Sequence, residues 1–294
     1  TCDEATARLI NREVSDGVGR LEAVVSATPV LTPSLYEAAR RVASRFLATT
    51  SQVLSLALPP RHARAEKDVL ASAPGAWPLV DSPAAGEGWR AYSAGQALLS
   101  RLAAGESPRA IVTSLHPHLR SCLSEAVAAT VSSGRSVIVI TATGEQATRV
   151  AHDLEQDLAV PAVVSGGEVS AEERYRVHVA ASLGRVPVVV GTRSAAWVPC
   201  ASLGLIIILD DGDDRLRERR FPRCDALDVA VQRCAVEGAG LLVLSASRSV
   251  KAQALVRYGW AVSVDPTACT CTGRLRHNER EPADTCASRR PPYV

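Results

Sequence analysis

The apolar positions of this chain change period partway along it. Leu35, Ala39, Val42 and Phe46 follow one another at intervals of four, three and four, which places them on one helical face. Thr32 suits the cap of that helix and Pro33 its first turn. A second helical run, Val53 to Leu58, stops at Pro59-Pro60. From Pro59 to about Tyr92 the pattern dissolves into Ala, Pro, Gly and Ser, which predicts a linker or a weakly structured module. Helical signals resume over Ala94–Ala103 and Pro117–Thr130. After Gly134 short β-branched runs take over: Ser136–Ile140, Val160–Val164, Val186–Val190, Leu203–Leu209, Gly240–Leu244 and Trp260–Val264. Most are separated by stretches of helical spacing, such as Ala147, Val150, Ala151, Leu154 and Leu158. Strands apolar on both sides, alternating with amphipathic helices, predict a doubly wound parallel α/β sheet over about 105–265. Residues 266–294 lose all periodicity and read as an irregular tail.

At 294 residues and 47% apolar content, the chain is long enough for one substantial α/β domain and a smaller unit. A net charge of +2 gives no bulk argument for nucleic acid or membrane, so any such partner has to be argued from local residues. The longest uninterrupted apolar run, Leu205–Leu209, is far below the roughly 20 residues of a bilayer span. The opening Thr1-Cys2-Asp3-Glu4 is not a signal peptide, and a cytoplasmic chain is expected. The 8 cysteines are scattered, which predicts mostly free thiols in a reducing compartment. The only lysines are Lys67 and Lys251 against many arginines, which with abundant alanine and valine points to a GC-rich genome, and methionine is absent even at position 1, which points to a fragment or a conceptual translation.

Two constellations could carry chemistry. Leu205-Ile206-Ile207-Ile208-Leu209-Asp210-Asp211 is a buried strand ending in two acids. In nucleotide hydrolysis such a strand delivers one carboxylate to the Mg²⁺ shell and another to activate water. The same spacing describes a strand leaving the core into an acidic turn, Asp211-Gly212-Asp213-Asp214, and both readings stay open. Val188-Val189-Val190-Gly191-Thr192-Arg193-Ser194-Ala195 is a strand and a glycine turn. Its amides and hydroxyls suit phosphate oxygens and Arg193 can pair with one, although an ordinary capped turn has the same form. Arg40, Arg41 and Arg45 on the first helix, and Arg61, His62, Arg64 and Lys67 beyond the second, form a basic face that either contacts DNA phosphates or is simply solvated.

Together these pieces resemble the primosomal replication-restart helicase family PriA. The resemblance is carried by Gly191-Thr192-Arg193-Ser194-Ala195 with Pro199, Leu203-Gly204-Leu205-Ile206-Ile207 running into the acidic box, Asp228-Val229-Ala230, and Leu244-Ser245-Ala246-Ser247, in that order. Pro29-Val30-Leu31-Thr32-Pro33 and Leu58-Pro59-Pro60-Arg61-His62-Ala63 are similar to the segment joining that family's DNA-binding N-terminal module to its middle. The resemblance implies a RecA-like, helicase-type lobe over 105–265. It further implies a mainly helical remnant of the DNA-binding module over 1–58 and a linker or reduced winged-helix-like region over 59–104. It also implies DNA, forked or single-stranded, and other primosome proteins as partners, with no membrane role.

The departures from the family are in the nucleotide machinery. Where a phosphate loop G-x-x-x-x-G-K-[ST] would stand, the chain has Val112-Thr113-Ser114-Leu115-His116-Pro117-His118-Leu119-Arg120-Ser121, without glycine or lysine. Arg120 is the one cation near the lysine's place. The box Asp210-Asp211-Gly212-Asp213 has glycine and aspartate where the family carries glutamate and histidine. These departures resemble the family branch of GC-rich bacteria that lacks helicase motifs. They predict a DNA-binding and scaffolding protein of replication restart without ATPase or helicase activity, with neither ATP/Mg²⁺ nor zinc as cofactor. The competing readings are an ATP-dependent 3′-to-5′ helicase lobe and a non-functional relic truncated at both ends. Cys269 and Cys271, with His277 and Cys286, have a one-residue gap unlike that of zinc sites, so no metal is expected there.

Overall fold

The computed structural model describes residues 26, 28–73, 77, 80, 86–114, 118–167 and 169–267. Its first helices begin where the sequence supplies caps. Helix α1 (Pro33–Arg45) starts at Thr32, whose hydroxyl accepts the Leu35 amide at 3.2 Å. Helix α2 (Thr50–Ala57) opens on a reciprocal box, in which the Thr49 hydroxyl takes the Gln52 amide and the Gln52 side chain takes the Thr49 amide. Helix α3 (Ala63–Ala71) lies inside the stretch that composition reads as a linker. His62 Nδ1 caps it at Ala65, and its apolar inner face is only Ala65 and Val69, too sparse to show as a period. Helices α4 (Glu87–Arg90) and α5 (Gly95–Ala103) follow.

The remainder is an all-parallel seven-stranded sheet in the order β3-β4-β2-β5-β6-β1-β7. Its strands are β1 (Arg109–Thr113), β2 (Ser136–Ile140), β3 (Ala162–Ser165), β4 (Val188–Gly191), β5 (Leu203–Leu209), β6 (Gly240–Ser245) and β7 (Val262–Val264). The helices between them are α6 (Leu119–Ser132), α7 (Gly144–Leu158), α8 (Ala171–Ser182), α9 (Ala226–Glu237) and α10 (Val250–Arg257). The six β-branched runs of the sequence each supply a strand, with β3 and β4 shifted to end at Ser165 and Gly191, β6 extended to Ser245 and β7 trimmed to Val262–Val264. β1 lies outside those runs, because its apolar stretch is only Ala110-Ile111-Val112. It nevertheless pairs with both β6 and β7.

Period-two alternation along the strands fills two cores. Ile138, Ile140, Ile206, Ile208, Leu241 and Val243 face one side, packed with α1, α8 and α9. Val137, Val139, Leu205, Ile207, Leu242 and Leu244 face the other, packed with Trp89, α5, α6 and α7. Each such buried side chain contributes roughly 1.5–3 kcal/mol. Neither sheet face meets solvent over β2, β5 and β6, which is why these strands read as continuous apolar runs. Helix α1 is tied to the sheet layer by packing on α9 and by Arg45, 3.6 Å from Asp228. Among the described residues no helix is long and apolar enough to cross a membrane. Cys122, Cys200, Cys224 and Cys234 are free thiols.

Candidate functional site

In a parallel sheet the loops after the strands gather at the C-terminal edge, where ligands bind. Here the edge divides in two. Beyond β2, β3 and β4 lies a cleft of about 520 Å³. Its floor is the first turn of α7 and the turns after β3 and β4, and its wall is Ser55–Pro60 from the end of α2. These loops approach so closely that glycine is required. A Cβ on Gly191 would stand 1.8 Å from the Ser165 carbonyl oxygen, and one on Gly166, at φ +109°, would stand 2.6 Å from Thr192 Oγ1. Thr143 caps α7 through the Gln146 amide at 3.2 Å, leaving the helix's positive end at the cleft.

The cleft's cations are Arg174, Arg193 and Arg220. Arg193 Nε lies 3.2 Å from Glu218. Burial works against a charged Glu218, but the Arg220 amide and the Arg193 guanidinium hold its carboxyl below the ordinary value. The turn bearing Arg193 is set from behind by Arg233, fully buried in α9, which donates to the Ala196 and Val198 carbonyls at 2.8 Å each. Glu237 neutralises Arg233 from one turn along the same helix. Sequence reading missed this support, since an Arg–Glu pair at i,i+4 looks like any exposed helix pair. His178, on the cleft wall, is buried, and its Nε2 meets the Val30 carbonyl at 2.8 Å. Burial pushes its pKa down to about 4.

Beyond β5 and β6 lies the acidic box. Asp210 leaves β5 at φ +51°, a left-handed conformation that aspartate tolerates, and its carbonyl accepts the Asp213 amide at 3.0 Å. Asp211 is held on both oxygens: Ser245 Oγ donates to Oδ1 at 2.8 Å, and Ser249 Oγ donates to Oδ2. The Asp211 amide returns a bond to Ser245 Oγ at 3.1 Å. Asp213 caps a short turn and pairs with Arg215, which lowers its carboxyl pKa. Gly212 is exposed with open space around it. The loop sequence after β1 offers no lysine, and both Asp211 oxygens already accept a hydroxyl. Leu115, His116 and Pro117 of that loop lie outside the described residues. Arg120 sits on α6, 2.8 Å from Asp153 and 2.6 Å from Asp157.

The remaining candidate residues lie on the N-terminal helices. Arg40 and Arg41 both clamp Glu37, which lowers its carboxyl pKa to about 2. Arg61 binds Glu66 at 2.9 Å. Arg64 and Lys67, one turn apart on α3, are exposed and make no ion pair among the described residues. Asp228, from the Asp228-Val229-Ala230 motif, joins α9 to α1 through Arg45 and to α10 through Lys251 at 2.6 Å. Burial raises its carboxyl pKa despite Lys251. Cys269, Cys271, His277 and Cys286 lie outside the described residues, and among those described no group of three or more His, Cys, Asp or Glu could hold a metal.

No protein-family model matches the chain. Among curated proteins, the probable replication restart protein PriA of Mycobacterium tuberculosis (strain CDC 1551 / Oshkosh) is 38% identical over 251 residues, which is 84% of this chain and 38% of that protein. Its counterpart in Mycobacterium leprae (strain TN) is 33% identical over the same share of both chains. Among solved structures, a hypothetical ATP-dependent RNA helicase from Sulfolobus tokodaii is 12% identical over 71% of this chain and 56% of that one, with a TM-score of 0.41. The chain thus spans 38% of the length of the mycobacterial relatives it matches. Over those 251 residues, with the α/β lobe and its motif order in place, the chain belongs to the replication restart protein PriA family.

Proposed function

We propose that the protein acts in replication restart as a DNA-binding scaffold that does not hydrolyse ATP. One observation carries this reading. On a single sheet edge, the box carboxylate Asp211 is spent on Ser245 and Ser249, while the neighbouring cleft presents a helix N-terminus, hydroxyls and arginines to solvent. That pairing favours a bound phosphodiester over a hydrolysed phosphoanhydride: positive ends and hydroxyls hold backbone oxygens, whereas hydrolysis needs an oriented triphosphate and metal. DNA, forked or single-stranded, is the partner this chemistry fits, and other primosome proteins are partners by family membership. On the N-terminal helices, Arg40, Arg41 and Arg61 are already paired with Glu37 and Glu66, so Arg64 and Lys67 carry the phosphate contacts there; in the cleft Arg193 shares its charge with Glu218, and Arg174 makes no ion pair among the described residues.

Fluorescence anisotropy of a labelled single strand, titrated at several salt concentrations, tests the reading. Binding is expected to be weak and salt-sensitive. Arg64→Ala with Lys67→Ala should reduce the slope of log affinity against log salt by about 1.4, since each contact on single strands contributes about 0.7. Arg40→Ala with Arg41→Ala should change it less. Affinity that does not fall with added salt would remove DNA from the proposal.

A further inference from the structure

At the far end of the same edge, a carboxylate outside every sequence motif gathers donors from several strand ends. Asp265 follows β7. Thr113 Oγ1, at the end of β1, donates to its Oδ1 at 2.7 Å, and Ser263 Oγ donates to its Oδ2 at 2.5 Å. The Arg248 guanidinium, from the loop after β6, binds both Asp265 Oδ1 and Ser263 Oγ. Two hydroxyls and a guanidinium converging at the C-terminal ends of parallel strands is a donor set suited to phosphate oxygens. The set is not used up by a planar carboxylate with two oxygens. Arg248 Nε, and Ser114 Oγ in the residue after Thr113, are buried without a hydrogen-bond partner. A tetrahedral anion brings further acceptor oxygens.

Asp265 is also the more exposed partner of its ion pair with Arg248. Its side chain is 54% exposed, whereas that of Arg248 is 20% exposed, and an exposed carboxylate in an ion pair contributes little. It is delivered by a short strap. The Thr267 amide donates to the Ala91 carbonyl at 2.8 Å, and Pro266 pairs with Tyr92 in an antiparallel bridge between α4 and α5. We infer that Thr113, Ser263 and Arg248 form an oxyanion site at the ends of β1 and β7 that Asp265 fills as an internal ligand, and that a phosphate group takes it over when the strap lifts. This site shares no residue with the cleft beyond β2, β3 and β4 and stands independently of the restart reading.

Inorganic phosphate titrated into the purified chain, read by calorimetry and by thermal unfolding, tests the inference. Asp265→Asn and Asp265→Ala should each bind phosphate at least about tenfold more tightly than the wild type, because removing a ligand that occupies the site nine-tenths of the time raises the competent fraction by that factor. Asp265→Asn retains the side-chain volume and serves if the alanine variant does not fold. Adding Arg248→Ala should abolish the gain. Equal phosphate affinity in wild type and Asp265→Asn, or a gain that persists without Arg248, would overturn the inference. Competition separates the sources: displacement of phosphate from Asp265→Asn by ATP identifies a nucleotide, displacement by a single-stranded oligonucleotide identifies a nucleic-acid backbone, and displacement by neither identifies the free anion.

Discussion

Beyond β2, β3 and β4 the donors at the sheet edge line an open cleft, whereas beyond β5, β6, β1 and β7 they are turned onto the chain's own carboxylates. Both halves share one parallel sheet and the same kinds of hydroxyl and arginine. What separates them is the reach of an acid. Asp211 takes two hydroxyls and Asp265 two hydroxyls and a guanidinium, while in the cleft Glu218 takes donors from Arg193 and Arg220 and no hydroxyl among the described residues. A ligand-binding edge is therefore a property of which loops carry acids as much as of the fold. Gly191 gives this contrast its hardest test, because its Cβ position lies against backbone. Gly191→Val should cost about 3 kcal/mol or more, read by urea unfolding, because the turn after β4 must leave β3. A cost under about 0.5 kcal/mol would mean that the cleft is not built on that contact.

The cleft wall adds a pH dependence through a histidine. Burial pushes the pKa of His178 down to about 4 from the ordinary 6.5, so between these values the unfolded chain binds more protons. Its contribution is complete above pH 6.5 and is lost as pH falls towards 4. It amounts to about 3 kcal/mol at one pKa unit per 1.36 kcal/mol. His178→Gln should flatten the stability profile across that window. An unchanged slope would place the titration in other groups.

Closer to the acidic box, Asp211→Ala should cost about 2 kcal/mol, because buried Ser245 and the cap Ser249 both lose an acceptor. Asp211→Asn should cost less, since its amide oxygen still serves Ser245. Equal losses in the two variants would mean that charge, rather than the hydroxyl latch, holds the box.

Much of this contrast was legible before the fold. The parallel sheet follows from runs such as Leu203–Leu209, whose alternate residues enter opposite cores, and Thr32 and Pro33 mark the start of α1. The box and the glycine turn were visible as strand ends. What spacing cannot show is which donors an acid reaches in space. Arg40, Arg41 and Arg61 read as a basic face, yet each is bound to an acid. Asp265 read only as the last residue of the lobe, yet it collects a hydroxyl from Thr113, 152 positions away, and another from Ser263. Helix α3 was hidden for a local reason: two buried apolar residues do not make a period.

The smallest expected effect decides most about the box. Of Asp210, Asp211 and Asp213, only Asp210 is without a side-chain partner among the described residues, so it is the acid with an oxygen free for a metal. If the edge hydrolysed ATP, Asp210→Asn would abolish turnover, since the metal would lose its one available protein carboxylate. The charge balance argues against that outcome. Arg120, the nearest cation to a phosphate-loop lysine in sequence, is committed to Asp153 and Asp157. Neutralising β- and γ-phosphates would therefore fall to a site that presents carboxylates instead. A DNA-stimulated ATPase assay should find no turnover above the protein-free baseline in either wild type or Asp210→Asn, and the substitution should move stability by less than about 0.5 kcal/mol, as for an exposed surface side chain. Turnover in the wild type that disappears in Asp210→Asn would reverse the comparison, making the closed half of the edge the catalytic one.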